Sequence, residues 1–150
     1  MEQTDCTIQG AHVLVIGAGR IGFLLAVRLH ALGAQVIVAA RSLRDRARIE
    51  SAGLAAVDTA QLAQEVHGRE IIFNTVPAPL LTGEILRALT PSCIVIDLAS
   101  MPGGVAPDAD PPTGCRVIHA LSLPGKVAPR TAAAAIYATV TAILREEGVL

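Results

Sequence analysis

The chain of 150 residues is 52% apolar, 17% charged and 2% aromatic, with 12 basic and 13 acidic side chains and a formal net charge of −1. That length suits one compact domain, and the apolar fraction is too high for a disordered chain. Near-balanced charge argues against an electrostatic nucleic-acid or membrane-surface binder, and with no Trp, one Tyr and two Phe there is little material for stacking on single strands. Cys6, Cys93 and Cys115 stand far apart, with no CxxC and no Cys/His cluster. They read as reduced thiols, and no metal site is expected. The N-terminus lacks the apolar core of a signal peptide, and no apolar run approaches the ~20 residues of a membrane span. The expectation is a soluble, cytoplasmic domain.

The β-branched run His12–Ile16 is read as a first strand that ends in glycine. A helix is predicted over Arg20–Leu32, with Ile21, Leu24, Leu25, Val27, Leu29 and Leu32 as its apolar face and Gly33 as its C-terminal stop. A second strand follows over Gln35–Ala40, then a polar-faced helix over Leu43–Ala52 and a weak third strand over Leu54–Val57. Thr59–Val66 is a short helix that Asp58 or Thr59 can cap. Ile71–Asn74 is the fourth strand, Thr82–Leu89 a helix and Cys93–Leu98 the fifth strand. Ser100–Gly114 is irregular, with four of the nine prolines, and loops of that length tend to be functional or mobile. Arg116–His119 is a sixth strand. Leu123–Pro129 reads as a loop, and Arg130 to about Glu147 as a final Ala-rich helix. Continuous apolar strands alternating with helices indicate a parallel sheet buried on both faces. The fold class expected is α/β, a Rossmann-type doubly wound six-stranded parallel sheet in three αβα layers.

Gly17-Ala18-Gly19-Arg20-Ile21-Gly22 fits G-x-G-x-x-G between a strand and a helix, the context that dinucleotide binding requires. Gly17 permits the tight turn, Gly19 lets a diphosphate approach the backbone at the positive helix end, and Gly22 lets the helix lie close on the sheet. The structural alternative is a plain strand-to-helix turn. Ala39-Ala40-Arg41-Ser42 stands where an acidic residue would bind the ribose hydroxyls of NAD(H). A guanidinium at Arg41 and a hydroxyl at Ser42 instead suit a 2′-phosphate, so NADP(H) is the cofactor expected. Arg46 and Arg48 read as the solvated face of the helix. Asn74-Thr75-Val76-Pro77 leaves the fourth strand at the crevice, so polar groups of Asn74 and Thr75 should face ribose or nicotinamide. Ala99-Ser100-Met101-Pro102-Gly103-Gly104 leaves the fifth strand at the same rim, and the Leu123–Pro129 loop leaves the sixth.

Catalytic groups are sparse, and no catalytic acid or base is assigned. His12, His30 and His67 read as structural or exposed; His119, at the end of the sixth strand, is better placed. Asp97 within a strand reads as a satisfied structural carboxylate, with acid–base work as the alternative. Lys126 and Arg130 could meet an anion. Hydride transfer asks chiefly for positioning, because the cofactor carries the chemistry.

These motifs in order, above all Asp97-Leu98-Ala99-Ser100-Met101-Pro102-Gly103-Gly104 and Leu123-Pro124-Gly125-Lys126-Val127-Ala128-Pro129, resemble the nucleotide-binding half of the family of dipicolinate synthase A subunits over nearly the whole chain. The resemblance implies residues 1–10 as a connector and 11–148 as an NADP-binding Rossmann domain, the family's N-terminal substrate domain being absent. It implies an NADP-dependent dehydrogenase that turns dihydrodipicolinate, or its hydroxy-tetrahydro precursor, into dipicolinate during sporulation, with the separate B subunit of dipicolinate synthase as partner. It leaves open a homo-oligomer. Gly17, Gly19, Arg20, Ile21 and Gly22 would hold the diphosphate, and Arg41 and Ser42 the 2′-phosphate. Asn74, Thr75, Val76, Pro77, Ala99 and Ser100 would border the nicotinamide, with Met101, Gly103, Gly104 and Lys126 toward the substrate. Met101 departs from the pattern, since relatives tend to a basic residue there. The competing readings are a non-catalytic NADP(H)-binding module and another NADP-dependent dehydrogenase of shikimate or amino-acid type.

Overall fold

The computed structural model describes residues 7–146. The first six residues of the expected connector, and Glu147 and Gly148 of the expected domain, lie outside the described residues. The chain divides into two compact units, one ending at His119 and one starting at Ala120.

The first unit holds strands β1 (His12–Ile16), β2 (Gln35–Ala39), β3 (Ala55–Val57), β4 (Ile71–Asn74), β5 (Ile94–Asp97) and β6 (Arg116–His119). Its helices are α1 (Arg20–Ala31), α2 (Leu43–Ser51), α3 (Leu62–Glu65) and α4 (Gly83–Arg87), with a 3₁₀ turn over Thr59–Gln61 before α3. The strands form one sheet in the order β3-β2-β1-β4-β5-β6, parallel throughout. This is the Rossmann order, and its reversal between β1 and β4 opens the crevice in which such sheets bind ligands.

Successive strand residues point to opposite faces, and here both faces are covered. Val13, Val15, Val36 and Val38 pack with Ala26 and Leu29 of α1 and Ile49 of α2. Leu14, Ile16, Ile72 and Val95 pack on the other side with Leu62 of α3 and Leu86 of α4. Each such side chain contributes about 1.5–3 kcal/mol by leaving water, and the three expected layers result.

The buried face of α1 is Gly22, Ala26 and Leu29, while Ile21, Leu24 and Leu32 are exposed. Of the predicted face, Leu29 is buried and Leu25 and Val27 pack against the core, so the prediction holds for three residues and fails for the other three. Gly22 and Ala26, which the apolar pattern does not single out, take the positions nearest the sheet. Its end is as expected: the Gly33 N–H donates to the His30 carbonyl at 2.9 Å and the Ala34 N–H to that of Leu29 at 3.1 Å, with Gly33 at φ 87°. Asp58 caps the 3₁₀ turn, reciprocated by Gln61.

The irregular stretch after β5 is fastened to the fold. The Leu81 N–H donates to the Gly104 carbonyl at 2.9 Å and the Ala106 N–H to the Leu81 carbonyl at 3.0 Å, and the Met101–Pro102 peptide bond is cis. The second unit contains α5 (Leu123–Val127) and α6 (Pro129–Glu146). The sequence predicts a loop at 123–129, where the structure has a short helix. Pro124 falls in its first turn, where a missing N–H breaks no helical bond, and the Lys126 N–H closes the turn onto the Ser122 carbonyl at 3.1 Å.

Candidate functional site

Strand β1 delivers its chain to the top of the sheet between β2 and β4. Gly17 turns it at φ 100°, and the Gly17 N–H is tied to the Ala39 carbonyl at 2.9 Å. A Cβ on Gly17 would stand 2.5 Å from Thr75 Oγ1, and one on Gly22 would stand 2.1 Å from the Gly17 carbonyl oxygen. Both glycines are thus demanded by the protein's own packing. Gly19 differs, because a Cβ there would meet nothing within 4 Å. It is the N-cap of α1 with no side-chain cap, and no acidic residue lies in the first turn. The first amides of a twelve-residue helix therefore face open space with the positive end of its dipole uncompensated. That arrangement fits a diphosphate.

Gly17–Gly22 and Thr75–Pro77 line a cleft of about 310 Å³. A second cleft of about 300 Å³ shares Gly17, Ala18 and Val76 with the first and extends past Ala40, Arg41, Ser42 and Asp45. The two make one trough running from the β4 rim across the turn to the end of β2, as an extended dinucleotide requires. Thr75, which lines the first cleft, is held by its Oγ1 donating to the Ile16 carbonyl at 2.9 Å.

At the β2 end, Arg41 is exposed, and its guanidinium makes no hydrogen bond among the described residues. Ser42 caps α2: its Oγ accepts the Asp45 N–H at 3.0 Å and donates to Asp45 Oδ2 at 2.6 Å. Arg48 is exposed as expected and Arg46 half-buried, but the guanidinium groups of both are tied to the fold. Arg46 Nη1 donates to the carbonyls of Ala40 and Arg41, each at 2.9 Å, and meets Asp58 Oδ2 at 2.5 Å. The Ala60 N–H, with Arg46 beside it, holds the Asp58 carboxyl below its usual value. Arg48 donates to the Ala18 carbonyl inside the glycine turn and stacks over Phe23, 4.4 Å from the ring centroid. Their partners lie outside α2, and no spacing within the helix announces them.

The residues expected around the nicotinamide and the substrate separate into a surface and a foundation. Thr75, Val76 and Pro77 line the trough. Asn74 does not show its side chain there: it is fully buried. Its Nδ2 donates to the Val76 carbonyl at 2.9 Å and to Asp97 Oδ1 at 2.8 Å, and its Oδ1 accepts the Val76 N–H at 3.2 Å. A buried amide must find such partners, and here they fix the bend of the β4 rim. Asp97, 1% exposed, also accepts the Ala99 N–H at 3.2 Å and the Gly104 N–H at 2.8 Å, and His119 Nδ1 lies 3.5 Å from its Oδ2. Ala99, Gly103 and Gly104 are buried in this network, and the two glycines pack against the carboxylate and the Asn74 amide. A Cβ on Gly104 would fall 1.8 Å from Asn74 Nδ2. Ser100 is exposed, as is Met101, at 75%. Lys126 lies on α5 in the second unit.

Among the described residues no group of three or more His, Cys, Asp or Glu could hold a metal, and no helix is long and apolar enough to cross a membrane.

Residues 2–99 match the family described as D-isomer specific 2-hydroxyacid dehydrogenase, NAD binding domain. Over 97% of its length the chain is 38% identical to the dipicolinate synthase A subunit of Bacillus subtilis, of which it spans 49%. The crystal structure of the dipicolinate synthase A chain from Bacillus subtilis superposes with a TM-score of 0.91 and 39% identity, over 96% of this chain and 48% of that one. That of the dipicolinate synthase A subunit from Bacillus halodurans gives 0.89 and 37%, over 95% and 49%. The chain therefore spans about half the length of the relatives it matches.

Proposed function

The chain belongs to the NAD-binding domain family of the D-isomer specific 2-hydroxyacid dehydrogenases, and from that premise we propose that it is the NADP(H)-holding half of an oxidoreductase of dipicolinate synthase A type. A nicotinamide cofactor follows from the family. The phosphorylated form is favoured by Arg41, a cation at the rim where an acidic residue would select the unphosphorylated ribose. When bound, the nicotinamide ring supplies the hydride-accepting chemistry. The chain's own part is positional. The α1 amides take the diphosphate, Gly19 keeps their approach clear, and Thr75–Pro77 form the wall beside which the nicotinamide end lies.

The single observation that carries the reading is the uncapped start of α1 behind a glycine with open space before it. The likeness to the Bacillus subtilis protein supports dihydrodipicolinate or its hydroxy-tetrahydro precursor as substrate, dipicolinate as product, the B subunit of dipicolinate synthase as partner, and a cytoplasmic role in sporulation. Loss of hydride from such a ring is helped by aromatisation, so alignment is the main demand on the protein.

Fluorescence titration with NADPH and NADH tests the cofactor assignment. NADPH binds more tightly, by a margin that narrows as salt rises; NADH binding as tightly or better overturns the NADP(H) assignment. The substrate is tested by assaying the chain, joined to a substrate-binding half and supplied with the B subunit, for conversion of dihydrodipicolinate to the aromatic product.

A further inference from the structure

We infer that Asp45 sets how strongly this domain distinguishes the phosphorylated from the unphosphorylated nucleotide. The inference rests on the nucleotide reading above. Asp45 lines the same cleft as Arg41 and Ser42, so the trough's β2 end contains one guanidinium and one carboxylate of opposite preference. The carboxylate also changes what Ser42 can offer. A serine hydroxyl has a single proton, and here that proton is directed to Asp45 Oδ2 at 2.6 Å. The remaining lone-pair capacity of Oγ is already used in part by the Asp45 N–H. Ser42 therefore faces a ligand as an acceptor.

A 2′-phosphate presents only acceptor oxygens and ~1.5–2 negative charges, so it gains no hydrogen bond from a hydroxyl in that state. Any ligand oxygen within hydrogen-bond reach of Ser42 Oγ, roughly 3 Å, stands within about 6 Å of Asp45 Oδ2. That is inside the ~8 Å screening length at physiological salt, so the repulsion is felt. A 2′-hydroxyl, by contrast, is itself a donor and finds in Asp45 and Ser42 two acceptors. Arg41 and Asp45 thus pull the preference in opposite directions, and the ratio of the two affinities is narrow in the native chain.

The test uses the intact chain with Asp45→Asn and Asp45→Ala, titrated with NADPH and NADH at low and at physiological salt, with thermal unfolding as a check on the fold. Asp45→Asn keeps the shape of the cap; Asp45→Ala removes the acceptor altogether. Both raise the ratio of NADPH to NADH affinity by about tenfold, equivalent to ~1.4 kcal/mol, and the gain is larger at low salt. A ratio moved less than twofold in both folded variants, with the native chain binding nucleotide, overturns the role of Asp45 and leaves the nucleotide reading standing. Failure of the native chain to bind either nucleotide overturns both.

Discussion

Alanine at Gly19 and alanine at Gly22 put the same methyl group into one turn with opposite consequences. At Gly22 the new Cβ would sit 2.1 Å from the Gly17 carbonyl oxygen and 2.9 Å from Thr75 Oγ1, so α1 must lift from the sheet. Overpacking of that kind costs about 1–3 kcal/mol, and Tm falls by roughly 4 °C for each kcal/mol in a unit of this size. At Gly19 the Cβ meets no protein atom within 4 Å, and the backbone there (φ −65°, ψ −174°) suits any residue. The fold loses less than ~1 kcal/mol, chiefly from a poorer N-cap. The methyl stands instead before the amides proposed to take the diphosphate. Losing one charge-assisted hydrogen bond, ~1.5–3 kcal/mol, lowers NADPH affinity by a factor of roughly 10–100. The pair is read by thermal unfolding beside NADPH titration. Equal Tm losses in the two variants, or undiminished NADPH affinity in Gly19→Ala, would refute the assignment of Gly19 to the ligand and Gly22 to the fold.

Asp97→Asn keeps one acceptor oxygen and turns its amide hydrogens either toward the donors at Asn74 and Ala99 or toward that at Gly104, and stability falls by about 2–4 kcal/mol in a urea titration; a loss below ~1 kcal/mol means the network does not bear on stability. Arg48→Ala removes the bond to the Ala18 carbonyl and the stacking over Phe23, costing about 1–2 kcal/mol and weakening NADPH binding, with urea and NADPH titrations as the checks. Burial pushes the Cys93 thiol up to about 12 from an ordinary 9.0, with Cys115 beside it adding to the shift. The folded chain therefore resists iodoacetamide at Cys93 at pH 8.5 while the urea-unfolded chain reacts; equal rates in a peptide-mass assay contradict this. The sign for stability follows: a raised thiol value contributes stability present in full below about pH 9, declining as pH climbs toward 12.

The strands and the glycine turn are legible because their signals are local. A strand buried on both faces shows as an unbroken apolar run, and Gly17–Gly22 carries its spacing in six consecutive residues. The exposed Ile21 and Leu24 mislead, because hydrophobicity alone does not reveal that Gly22 and Ala26 bring α1 close to the sheet. Arg46 and Arg48 look like solvent charges because the groups that hold them, Asp58 for one and the Ala18 carbonyl and Phe23 for the other, lie on other segments. The inward turn of Asn74 depends on Asp97, a partner 23 positions away. Such a pairing exists only after β4 and β5 lie side by side, and no window of sequence displays it.

The union of Asn74, Asp97 and Gly104 has a practical corollary for re-engineering the rim. Segments that look like separate connectors, one after β4 and one after β5, share a single carboxylate as their common anchor. A graft that changes Asn74, Asp97 or Gly104 without its partners would leave a donor facing a donor, or a methyl where an amide must fit. Transplants between relatives should carry residues 74–77 and 97–104 as one cassette.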